Sequence, residues 1–155
     1  MFRFFITIML VLLVLPQTAR PGNLLETDYQ ARFCAHMQRE VRLGPQRRAD
    51  CMTSTLVIEV DWADKWKEGI GQSLAYAAET GLVPGIILVC RQSKARCLAS
   101  SLFTRQTLSR FGISAVIWEC VPADKGLQDC VLRRTGGRAP SEGLGPADRS
   151  ALPEP

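Results

Sequence analysis

The chain has 155 residues, 46% of them hydrophobic, with a formal net charge of +4. This length suits one domain, the composition excludes a wholly disordered or fibrous chain, and the modest charge permits contact with a polyanion without demanding it. Six cysteines accompany a single histidine, His36, and no Cys-x-x-Cys pair occurs, so disulfides are expected rather than a structural zinc site.

Arg3 gives the first segment a positive start, residues 4–15 are apolar with Thr7 the one interruption, and residues 16–19 resemble a cleavage region. A cleaved secretory signal over residues 1–19 is therefore expected, with the mature chain periplasmic or secreted. The competing reading is an uncleaved anchor, for which the apolar run falls short of the roughly 20 residues of a spanning helix. From Arg134 the chain is rich in Gly, Pro, Arg and Ser, and residues 134–155 are expected to form a disordered tail. Residues 27–132 remain as the folded domain. Cys90–Cys97 and Cys120–Cys130 are the expected local pairings, since each closes a short loop.

In chain order, Thr27 opens a predicted helix over residues 27–41, with Gln30 three residues after the cap. Tyr29, Phe33, His36 and Met37 make one face, and Glu40 extends it toward the helix end. Residues 48–52 and 54–61 read as a hairpin of two strands. In the second, Leu56, Ile58 and Val60 point one way and Val57, Glu59 and Asp61 the other. Residues 64–80 form a helix with Trp66, Ile70, Leu74 and Ala78 as its inward stripe, ended by Gly81. Residues 84–90 are a fully apolar and hence central strand. A helix over 97–111, with Leu98, Leu102 and Leu108 inward, precedes a last strand over 113–120. The fold class is α/β: a mixed sheet with an antiparallel hairpin, flanked by helices, whose strand–helix–strand crossings imply parallel neighbours.

Glu59 is the residue that asks for a function. A carboxylate inside a β-branched apolar run is expensive to bury unless a cation or hydrogen bonds compensate it. Asp50, before the hairpin turn, can stand beside it, and two carboxylates plus water suit a hard divalent cation. Asp61 is either a further ligand or a solvated strand end. Lys65, Gln72 and Tyr76, spaced seven and four apart, share nearly one helical face that could look back over the hairpin; a plain polar helix face has the same pattern. A lone His36 on an amphipathic helix is read as packed or half-exposed. Cys51 lacks a histidine activator, so it is read as core or disulfide.

Asp50, Glu59 and the helix motif Gln72-Ser73-Leu74-Ala75-Tyr76 together resemble the PD-(D/E)XK nuclease superfamily, in particular its members with a Q-x-x-x-Y helix. The resemblance implies a restriction-endonuclease-like αβββαβ core, Asp50 and Glu59 as ligands of Mg²⁺ or Mn²⁺, and Glu40 as the additional acid of the first helix. It implies a catalytic role for Gln72 and Tyr76. The family's acid-x-lysine reads Glu59-Val60-Asp61 here, so Lys65 is the displaced catalytic lysine and Lys67 the second candidate. The proline usual before the first acid is absent. The implied activity is phosphodiester hydrolysis, with nucleic acid as partner, DNA ahead of RNA. The alternative is a catalytically inactive, disulfide-stapled binding module on the same fold.

Overall fold

The computed structural model describes residues 24–136. The expected signal over 1–19 lies outside them, as does the expected tail beyond Gly136. The described chain runs α1 (Glu26–Phe33), β1 (Gln38–Gly44), β2 (Arg47–Met52), β3 (Leu56–Trp62), a 3-10 turn (Ala63–Lys65), α2 (Trp66–Thr80), β4 (Val83–Val89), α3 (Lys94–Arg110), β5 (Ala115–Cys120), a second 3-10 turn (Leu127–Asp129) and β6 (Val131–Thr135). The six strands form one mixed sheet in sequential order. β1, β2 and β3 are antiparallel neighbours, β3, β4 and β5 run parallel through α2 and α3, and β6 closes the edge antiparallel to β5.

Strand alternation divides the core. Ile58, Val60 and Trp62 of β3, with Ile87, Val89, Val116 and Trp118, pack on one face against Tyr29 and Phe33 of α1. Ile86, Leu88, Ala115 and Ile117 pack on the other, with Leu108 of α3 and with Trp66, Ile70 and Leu74 of α2. Gly85 permits the sheet and Trp118 to pack this tightly: a Cβ there would lie 2.8 Å from Ile58 Cγ1 and 3.3 Å from Trp118. Gly81 ends α2 with φ of 71°, a left-handed conformation that glycine adopts without a steric penalty.

Four expectations about elements are corrected. The first helix stops at Phe33 rather than reaching residue 41, and residues 38–44 are a strand. The helical spacing of Tyr29 and Phe33 continues by coincidence into His36 and Met37. The Cys34–Cys51 disulfide instead ties the helix end to β2, and the chain turns back to pair with that strand. Glu40 is therefore on β1, not on a helix. In α3, Ser101, Thr104 and Leu108 face inward, while Leu98 and Leu102 are exposed. The inward face is small and polar because Glu119 of β5 reaches toward it and accepts a hydrogen bond from Ser101. In α2 the fully buried residues are Gly69 and Ser73, and Ala78 is exposed. Arg134 and Thr135, expected to begin the tail, belong to β6, where the Thr135 hydroxyl accepts from the Ala115 N–H at 2.9 Å.

The two expected disulfides, Cys90–Cys97 and Cys120–Cys130, are present beside Cys34–Cys51. Three disulfides are compatible with a secreted protein. Among the described residues no helix is long and apolar enough to cross a membrane.

Candidate functional site

The site opens where the β2–β3 hairpin splits. The two strands pair at Cys51–Ile58 and Met52–Val57. One residue further on, the Asp50 side chain takes the place of the ladder: its Oδ2 accepts the Val60 N–H at 2.9 Å. Its Oδ1 accepts from Gln30 Nε2 of α1 at 3.0 Å. Beside it on the next strand is Glu59, 7% exposed, with Oε2 buried and without any hydrogen-bond partner. Asp61, two residues on and on the same face, is 5% exposed, and its Oδ1 accepts the Trp62 N–H at 2.8 Å. The sheet face that β3 turns toward α2 thus carries two buried acids in a row, with a third beside them on β2.

Burial, then the charges of Asp50, Asp61 and Glu26, push the Glu59 carboxyl up to about 9. Burial raises Asp50 to about 6, against the pull of the Val60 N–H and with the help of Glu40 and Glu26. Asp61 rises to about 7, again chiefly by burial; the Trp62 N–H and the Lys65 ammonium act against the rise. The Tyr76 hydroxyl is raised too, by burial and then by Glu59 and Asp50.

A cleft of about 450 Å³ lies over the split. Asp50, Glu59, Gln72 and Tyr76 all line it, so four of the residues singled out in the sequence meet there. Lys65 does not line the cleft. It sits in the 3-10 turn before α2, with its ammonium 3.8 Å from Glu26 and 4.0 Å from Glu68. Lys67 is turned away, its ammonium 5.6 Å from the Trp66 ring centroid. Glu40 is outside the cleft lining but touches its frame. It accepts a hydrogen bond from Gln30 and pairs with Arg48 at 2.5 Å. Its φ is 56°, a left-handed conformation of the strained kind that tends to collect at functional sites.

Of the lining residues that the sequence reading missed, two act on the acids. Glu26, in the first turn of α1, supplies the helix-borne acid that Glu40 was expected to be. It lies next to the expected signal region and carries no local pattern that marks it. Arg48, on the same lining, lowers the carboxyls of both Asp50 and Glu59. In the sequence it stands among Arg39, Arg42 and Arg47 with nothing to single it out.

The donor set fits a hard divalent cation in one definite way. A buried carboxylate oxygen without a partner, next to a second carboxylate, is the feature a cation would satisfy. Among the described residues no three acids bring one oxygen each within 4.8 Å of one another, so such a cation would take Asp50 and Glu59 and complete its shell with water or phosphate, as Mg²⁺ commonly does. Cys120, Asp124 and Cys130 do approach that closely, but the two sulfurs are joined to each other and are not thiolates. Comparison of the chain with protein-family models, with curated proteins and with solved structures finds no match in any of the three.

Proposed function

We propose that this chain is an exported, divalent-metal-dependent nuclease-like phosphodiesterase. The observation that carries the reading is Glu59: a deeply buried carboxylate with a partnerless oxygen, beside Asp50 at the floor of an open cleft. Nothing in the packing of β3 requires an acid there, and an uncompensated one opposes folding. The element order α1-β1-β2-β3-α2-β4 is the order that the PD-(D/E)XK resemblance implies, and it supports the reading.

Asp50 and Glu59 would hold Mg²⁺ or Mn²⁺, whose charge polarises a phosphate and lowers the pKa of bound water. Gln30 and the Val60 N–H fix the Asp50 carboxylate in place. Gln72 and Tyr76 face the cleft from α2 and offer an amide and a hydroxyl to a phosphodiester. Lys65 acts at one remove, as a positioning residue: it pairs with Glu26 and its charge opposes the rise of the Asp61 carboxyl. Asp61, in the place of the family's lysine, adds negative charge rather than removing it.

That substitution favours a second reading, a module that binds cation and nucleic acid without cutting. The two are separated by incubating the oxidised full-length chain with plasmid and linear DNA and with Mg²⁺ or Mn²⁺. The proposed activity predicts cutting that a chelator stops. In Glu59→Ala it should fall by about 100-fold or more, beyond the loss of an outer-shell partner. Equal cutting by both chains discards Glu59 as a ligand, and no cutting by wild type leaves the binding module.

A further inference from the structure

The β1–β2 hairpin carries three arginines to the lip of the cleft. Arg42 and Arg48 are direct partners across the antiparallel pair, and Arg47 faces Gly44 at the turn. All three are exposed and all three line the cleft whose floor holds Asp50 and Glu59. Gly44 lets Arg47 fold close to the backbone: a Cβ there would lie 3.1 Å from Arg47 Nη2.

Like charges directly opposite each other on an antiparallel pair destabilise it. Arg48 has an internal counter-charge in Glu40 at 2.5 Å, and Arg47 has one in Glu79 at 3.3 Å. Arg42 forms no hydrogen bond or ion pair among the described residues, although it faces Arg48. The hairpin gains nothing in stability from a third, unpaired guanidinium at that place. An anion entering the cleft would relieve the repulsion and find planar donors suited to phosphate oxygens.

We propose that Arg42, Arg47 and Arg48 form a phosphate subsite distinct from the acidic floor, so that the site takes a phosphodiester chain gripped at one phosphate while a neighbouring phosphate meets the acids. The inference rests on the phosphodiesterase reading of the cleft and deepens it: it assigns the residues that hold a second phosphate of the same strand. A floor of carboxylates repels phosphate, and a basic lip beside it lets one strand satisfy both regions.

The test is binding of a fluorescently labelled single-stranded oligodeoxynucleotide to the full chain in chelator, followed by anisotropy over a series of salt concentrations. Arg42 is exposed and unpaired, so Arg42→Ala leaves the fold intact. It should weaken binding several-fold and reduce the slope of log affinity against log salt by about 0.7, the single-strand value for one lost phosphate contact. Arg48→Ala should do the same. Arg110→Ala, in the last turn of α3 and away from the cleft, should leave affinity and slope at the wild-type values. Unchanged slopes in both Arg42→Ala and Arg48→Ala, or no binding by wild type, overturn the subsite. Cleavage of the same strand with Mn²⁺ is scored separately: binding through these arginines with no cleavage supports the subsite and removes the phosphodiesterase reading instead.

Discussion

Glu59→Gln is expected to make the protein harder to unfold while strongly weakening the proposed divalent-cation binding. The carboxyl ionises near 4.5 in an unfolded chain and at about 9 in the folded one. At pH 7 the unfolded state therefore releases a proton that the native state keeps. The imbalance lowers native stability by on the order of 3 kcal/mol. A neutral amide of the same shape removes it. Urea unfolding in chelator at pH 7 should show a higher midpoint for Glu59→Gln at unchanged slope. Most core substitutions destabilise, so a clear gain here identifies Glu59 as a residue kept against the interest of the fold. A midpoint equal to or below wild type would mean that Glu59 is compensated within the chain.

The second large effect is the pH dependence of the cation-free protein. Asp50, Glu59 and Asp61 all have native values above their unfolded ones. Below about pH 3 each is protonated in both states and costs nothing. As pH rises, the unfolded chain ionises first, so stability falls. The fall is steepest between about 5 and 6, while all three native carboxyls still hold protons, and it continues more gently toward 9 as Asp50, then Asp61, then Glu59 ionise. This is the reverse of ordinary acid denaturation, in which paired carboxylates lose stability as pH drops. Chelator-treated protein should therefore melt at a lower temperature at pH 8 than at pH 5. Saturating Mn²⁺ should raise the melting temperature far more at pH 8, because the ligands must shed their protons to bind. A melting temperature that climbs from pH 5 to pH 8 in chelator would contradict the arrangement.

Much of this was legible in the chain because Glu59 interrupts a β-branched run. Alternation along residues 56–62 then fixed which side chains share its face, and the apolar run of β4 marked the centre of the sheet. β1 was hidden because Tyr29, Phe33, His36 and Met37 imitate a helical stripe; a disulfide between Cys34 and Cys51, which spacing does not disclose, breaks it. With β1 misread, Glu40 was assigned to a helix, and Glu26, the acid a helix does bring to the cleft, went unseen. Lys65 was placed on the face of Gln72 and Tyr76 by counting back along α2. The chain there is a 3-10 turn, whose different pitch swings Lys65 toward Glu26. The arginines of the hairpin carry no spacing that links them in sequence; only the strand register sets Arg42 opposite Arg48. β6 was lost in the Gly- and Arg-rich composition that follows it, and as a short edge strand with mostly exposed side chains it has little pattern to read.

Calorimetric titration of the oxidised chain with Mn²⁺ at pH 8, alongside Asp50→Asn and Glu59→Gln, bears most directly on the acidic floor. Wild type should bind the ion and release protons to the buffer, and both folded variants should bind it far more weakly. Equal heats in all three proteins, or none in wild type, would show that Asp50 and Glu59 hold no cation between them.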